Sequence, residues 1–207
     1  MRLAPLLGAI GIGGIAVALA AQSILSNFIA SVLLQTRRPF RRGDQIATND
    51  HEGRVEDVNL RAVVLRSFDG EQVVLPAAAV VASPIVNYTR LGRRRTTLTV
   101  GVGYATDLRS AQKVIVDAVR RVDDVHPSPP PEALVQELGE SSIDLAVRFW
   151  HAPEVATMWR VRSEVAIEVK AALDDAGIEI PFPQRVLWPA SPPTGVGGEP
   201  GDREHSD

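Results

Sequence analysis

The residue types that usually carry chemistry are present in this chain, but not in arrangements that perform it. The four histidines, His51, His126, His151 and His205, are scattered without metal-ligand spacing, so no metal site is expected. There is no cysteine, which excludes disulfides, zinc fingers, thiolate clusters and cysteine nucleophiles. Gly11-Ile12-Gly13-Gly14 has a superficial likeness to a phosphate loop, but it lacks the full fingerprint and follows no strand. Asp123-Asp124 and Asp174-Asp175 fall at expected helix ends, where paired carboxylates are ordinarily solvated surface. No serine, histidine and aspartate are grouped by spacing. Phe68 beside Asp69 reads as a core or turn residue, with no aromatic platform around it for RNA bases. The net charge of −3 gives no bulk attraction for nucleic acid. The expectation is a protein that is not an enzyme, takes no cofactor and binds no nucleic acid.

What remains is physical chemistry, concentrated in the first 42 residues. No charged residue occurs between Arg2 and Arg37. As one helix, Leu3 to Thr36 would span about 50 Å at about 1.5 Å per residue. The hydrocarbon core is only about 30 Å thick, so a kink is expected at the polar interruption Gln22, Ser23, Ser26 and Asn27. Beyond it, Ile24, Leu25, Phe28, Ile29, Val32 and Leu33 recur at helical spacing, as in an amphipathic helix turning toward the interface. Arg37, Arg38, Arg41 and Arg42 follow and place this end in the cytoplasm by the positive-inside rule.

The first half rewards a helical projection of about 100° per residue. With Gly8, a further candidate packing residue, set at zero, Gly11, Gly14 and Ala18 fall on one flank, and Ala9, Gly13, Ala16 and Ala20 on the opposite one. Two flanks of small residues let a helix be approached closely from both sides. A dimer needs one such flank, whereas a closed ring of identical subunits needs two. The face carrying Ile15 and Leu19 would then line the ring axis, where large apolar side chains close a pore by dewetting. Two other readings stand beside this one. A lone membrane anchor would have similar composition. A secretory signal peptide would use Arg2, the apolar run Leu3 to Val17 and an Ala18-Leu19-Ala20 cleavage site, leaving a secreted domain. The four arginines likewise serve either as interfacial anchors for anionic lipid or as a collar that biases conductance toward anions.

At this point the residues resemble a known family. The run Gly11 to Asn27 is similar to the pore-lining helix of the small-conductance mechanosensitive ion channels, and Arg38-Pro-Phe-Arg-Arg-Gly-Asp44 to their junction with the next domain. Gly53, Val55, Val58, Leu65, Arg66, Asp69-Gly70, Val73, Val74, Pro76 and Asn87 match the spacing of the β domain that follows. Leu138-Gly139-Glu-Ser-Ser-Ile143 and Gly177-Ile-Glu-Ile-Pro-Phe-Pro-Gln184 match the C-terminal part. The likeness covers about residues 5 to 188. It implies a homoheptamer in the inner membrane with its C-terminal domain in the cytoplasm. Membrane tension would open it to release ions and small solutes during hypo-osmotic shock. By position it makes Ile15 and Leu19 the constriction rings, Gly11, Gly14 and Ala18 the packing groove, and Gln22-Ser23 the hinge. The family has at least two further membrane helices before this one, so the expectation is a pore helix with its cytoplasmic half. A non-conducting, membrane-anchored ring scaffold is the alternative. Ile12, Ser23 and Ala77 depart from the small residue, glycine and asparagine usual at those positions.

The rest reads as short alternating segments. Gln45–Thr48, Gly53–Leu60, Ala62–Ser67 and Glu71–Leu75 are predicted strands, with Asp69-Gly70 as a hairpin turn. They suggest a small open barrel, which the family likeness makes Sm-like. Beyond Arg93-Arg-Arg95 the pattern is a strand over Thr96–Gly103, then a helix from Thr106 or Asp107 to about Val122. Strands over Ala133–Leu138 and Ser142–Trp150 follow, then a helix over Val155–Leu173 stopped by Gly177, and a last strand over Ile178–Phe182. The order β-α-β-β-α-β suggests a ferredoxin-like sandwich. The expected class is an α+β membrane protein in five parts. These are a kinked transmembrane helix (1–36), an Sm-like domain (37–90), a ferredoxin-like domain (91–180), a C-terminal strand for an oligomeric barrel (181–188) and a disordered tail (189–207).

Overall fold

The structure, a computed structural model, describes residues 4–185. A single long helix, α1 (Ala4–Arg37), leads into β1 (Gln45–Thr48), β2 (His51–Val58), β3 (Ala62–Arg66) and β4 (Gln72–Pro76). A short helix α2 (Ala77–Ala82) and strand β5 (Val86–Asn87) complete this unit. The strands form one antiparallel sheet in the order β4-β3-β2-β1-β5. Local chemistry sets its turns. Asn49 and Asp50, which tolerate the left-handed region, take φ of 49° and 59° between β1 and β2 and make a two-residue hairpin. Gly70, at φ 92°, turns β3 into β4 where Asp69-Gly70 was expected to. Gly53 is required by proximity, because a Cβ there would lie 2.3 Å from the Arg66 carbonyl oxygen. The core of the unit joins Ile46, Val55, Val63, Leu65, Leu75, Ala77 and Val80 with Ala30 and Leu34 of α1 and Phe40 after it.

The second unit comprises β6 (Arg94–Val102), α3 (Leu108–Arg120), β7 (Glu132–Leu138), β8 (Ile143–His151) and α4 (Val155–Asp175). Its antiparallel sheet runs β6-β8-β7. Both helices bury their apolar sides on it, with Ile115, Val119, Val161, Val165, Leu173 and Phe149 in one cluster. Asp107 starts α3 by accepting from the Arg109 amide at 3.1 Å. Gly177, at φ 66°, ends α4 as expected. Its amide donates to Asp174 O, and that of Ile178 to Leu173 O, the paired bonds of a Schellman cap.

One expectation is narrowed and one corrected. α1 continues as helix through all 34 residues, so the expected kink near residues 22–27 is not a break in the helix. No glycine or proline interrupts the backbone ladder there, and the Asn27 amide donates to the Ser23 carbonyl alongside it. The last strand over Ile178–Phe182 is absent among the described residues. A single backbone bond, Gly103 N to Glu179 O at 3.0 Å, ties that segment to the end of β6. Residues 181–185 carry no regular secondary structure. The rest of the expected C-terminal strand, and the expected disordered tail, lie outside the described residues.

Candidate functional site

From Gly13 to Ser26 every side chain of α1 is exposed within the chain. Ile15 and Leu19 are 63% and 66% exposed and, one helical turn apart, share a face. Ala16 and Ala18 are exposed too, and a Cβ added at Gly11 or Gly14 would meet nothing within 4 Å. The environment of Gly8 lies outside what is described. Gly11, Gly14, Ala16 and Ala18 have no packing role inside one chain. Gln22 and Ser23 are exposed and helical. So large a continuous apolar surface is foreign to a monomer in water, and Gly13–Arg37 is long and apolar enough to cross a membrane.

The other end of α1 is firmly seated. Ala30, Ser31 and Leu34 are buried against α2 and the first sheet. Asn27 sits where the exposed and buried halves meet. Its Oδ1 accepts from the amide of Ala78 at 3.0 Å while its Nδ2 donates to Ser23 O at 2.9 Å. Pro76, at the N-cap of α2, has no side chain that can accept, so Asn27 supplies the cap from another helix.

The junction below is built by residues the sequence brings from both sides. Arg38 leaves the helix at φ 48°, and the following Pro39 prevents its continuation. The carbonyls of Arg38 and Pro39 accept from one Nη1 of Arg90, at 2.8 and 2.9 Å. Asp44 accepts from the Arg41 amide at 2.9 Å and from Asn87 Nδ2 at 2.8 Å, and Asn87 Oδ1 accepts from the Arg90 amide at 3.0 Å. Arg37, Arg38, Arg41 and Arg42 all remain exposed around this bracket.

A second junction connects the two sheets. Gln45 Oε1 accepts from the amide of Val155 at 2.9 Å and caps α4, whose own N-cap Glu154 provides no side-chain bond. Arg94 stacks on Tyr88 at 4.3 Å, and the Tyr88 hydroxyl donates to Glu52 at 3.0 Å. Burial first, and then the Glu52 carboxylate, push that hydroxyl above its usual pKa.

Sequence reasoning marked Asn27 only as part of a polar interruption, and missed Gln45 and Arg90 as ties. Nothing local distinguishes the last two, whose partners lie 110 and about 50 residues away. Helix α2 was not expected either, although Ala77-Ala-Ala79 after Pro76 carries a signal for it, since alanine is the strongest helix former. Among the described residues no group of acidic or histidine side chains could hold a metal ion.

An apolar helix that, among the described residues, buries only its end on its own chain, above an arginine collar and two antiparallel units, defines a membrane protein. Comparison with known proteins narrows the class. Residues 23–90 match the family described as "Mechanosensitive ion channel, beta-domain", and residues 96–180 the one described as "Mechanosensitive ion channel MscS, C-terminal". An uncharacterized MscS family protein of Archaeoglobus fulgidus is 38% identical over 193 residues, covering 91% of this chain and 66% of that protein. A small-conductance mechanosensitive channel of Helicobacter pylori is 36% identical over 173 residues, covering 84% of this chain and 63% of the other. The crystal structure of Helicobacter pylori MscS in its closed state superposes with a TM-score of 0.86 at 32% identity, covering 93% of this chain and 76% of that one. The chain belongs to the MscS family of mechanosensitive ion channels. It spans about two thirds of the length of the relatives it matches.

Proposed function

We propose that this chain forms the pore-lining helix and the vestibule of a mechanosensitive channel subunit. In this reading it assembles as a homoheptamer, opens under membrane tension and passes ions and small solutes on hypo-osmotic shock. One observation carries the proposal: α1 is exposed at every residue from Gly13 to Ser26, all of them apolar as far as Ala21, while its far end is locked into the first sheet unit. Such a helix needs partners on both sides, and the Gly11–Gly14–Ala18 and Gly13–Ala16–Ala20 flanks suit copies of itself. Ile15 and Leu19 then face the axis as the constriction, and Gln22-Ser23 is the place where the helix would flex. The arginines 37, 38, 41 and 42 lie at the cytoplasmic interface of the inner membrane, against lipid. The first sheet is Sm-like. The second unit is ferredoxin-like: its β6-β8-β7 order is that of three strands of such a sandwich, and the Gly103–Glu179 bond holds the last segment beside β6, where the fourth belongs. Residues 181–188 would complete a barrel of one strand per subunit.

A secreted domain fits less well. Cleavage after Ala20 would cut α1 in mid-helix and leave Ile24, Leu25, Phe28 and Ile29 exposed to water. A non-conducting ring scaffold is separated by experiment. Patches of membrane containing the protein, from cells without channels of their own, are stretched by suction. Tension-activated current supports the channel, and Leu19→Ser, which wets the constriction, lowers the opening tension. A ring with an uncleaved N-terminus and no current moves the reading to the scaffold. A cleaved monomer starting near Ala21 overturns both. A Leu19→Ser channel that opens at the parent's tension removes Leu19 as the gate.

A further inference from the structure

His151 closes β8 where the two sheet units meet, and its side chain is completely buried. Nδ1 lies 2.6 Å from the Ala152 carbonyl oxygen. A carbonyl only accepts, so Nδ1 carries the proton. Nε2 lies 2.7 Å from Thr96 Oγ1 on β6 and accepts from that hydroxyl. This assigns one neutral tautomer with both nitrogens used. Ala152 opens the loop to α4, and at the loop's other end the Val155 amide is bonded to Gln45 Oε1 of β1. The loop is therefore held by His151 from the second unit and by Gln45 from the first.

The charged groups around the ring oppose a second proton on balance. Arg94 stands opposite His151 in the β6–β8 register and is turned onto Tyr88, whose hydroxyl is bonded to Glu52. His126, whose amide donates to Trp150 O at 2.7 Å, comes from the loop after α3. Both act against an imidazolium, and Glu154 of the β8–α4 loop favours one. A protonated ring would also present N–H at both nitrogens, taking away the acceptor that the Thr96 hydroxyl uses.

We propose that His151 is an acid-sensitive latch: neutral, it keeps the β8–α4 loop seated on Gln45 and ties the two units together; protonated, it leaves its pocket and loosens that tie. Burial above all, and then Arg94 and His126, hold its pKa below the ordinary 6.5, so it is neutral at pH 7. In the unfolded chain the imidazole gains its proton near 6.5 and in the folded one only at lower pH. The contribution to stability is therefore complete above pH 6.5 and is lost as pH falls from there toward the folded value. The latch rests on the fold alone, so its failure leaves the channel reading untouched.

The chain has no cysteine, so spin labels can be placed at Glu71→Cys on the first unit and Ala171→Cys on α4, both exposed. Labelled subunits of the full chain, in detergent and diluted with unlabelled ones, report the distance between the units by pulsed electron resonance. One narrow distance distribution is expected at about pH 7.5 and a broadened one at about pH 5, with a midpoint below the ordinary histidine value. His151→Asn keeps an Nδ donor for Ala152 O and does not titrate, so it should remove the pH response, while His126→Asn should keep it. A parent distribution that does not change with pH, or the same broadening in His151→Asn, overturns the latch. Nuclear magnetic resonance of the His151 ring in the parent provides a second check, and a pKa at or above 6.5 overturns it as well.

Discussion

Replacing Asn27 by alanine tests the tie between the apolar helix and the sheet beneath it. The substitution deletes the oxygen that accepts from Ala78 N at 3.0 Å, and nothing in α2 replaces it, because Pro76 has no side-chain acceptor. Loss of a helix cap costs about 1 kcal/mol, which is about fivefold in an equilibrium constant. Amide hydrogen exchange at constant pH reads this directly. In Asn27→Ala the amides of Ala78 to Val81 should exchange about fivefold faster than in the parent, with the amides of α3 and α4 unaffected. Asn27→Asp separates the two bonds of this side chain. It keeps the acceptor, and its charge is favourable at a helix N-terminus, but it loses the donor to Ser23 O. Ala78 should stay protected in that variant. Equal exchange in parent and Asn27→Ala, or acceleration by aspartate equal to that by alanine, would refute the capping argument.

Two further outcomes follow from contacts in the first unit. Gly53→Ala drives a Cβ against the backbone of Arg66 at 2.3 Å, and backbone cannot yield as a side-chain tip can. Thermal unfolding should show a loss of about 2 kcal/mol or more, and a melting temperature equal to the parent's would count against the described β2–β3 approach. Ser31 is fully buried and its Oγ has no hydrogen-bond partner among the described residues. Ser31→Ala should therefore stabilise the seat of α1 by about 1 kcal/mol, and a lower melting temperature would mean that the hydroxyl has a partner.

Much of this architecture is legible in the chain because its signals are local. A short apolar run marks β3, alternation marks β8, the Asp69-Gly70 pair marks its turn, and Asp107 and Gly177 mark the ends of their helices. Those features depend on neighbours within a few residues, which the sequence displays directly. Hairpin strand β2 begins earlier than its apolar pattern, at His51, because the Asn49-Asp50 turn rather than hydrophobicity sets the first pair. Helix α1 is unbroken at residues 22–27 for a related reason. A polar cluster in an apolar helix is only an opportunity to break, and the polar group at Asn27 is spent on Ala78 instead.

The sequence by itself determined that there is an apolar helix ending in arginines, that two flanks of it are small, and that two β-rich units follow. The tertiary structure alone decided which parts hold one another. Asn27 caps α2, Arg90 holds the carbonyls of Arg38 and Pro39, Gln45 caps α4, and His151 is buried with both nitrogens bonded. The physical reason is that a polar side chain has no periodicity. An apolar residue announces its face by spacing, whereas a hydrogen-bond donor or acceptor acquires its role only when folding brings a distant, otherwise unsatisfied partner within about 3 Å.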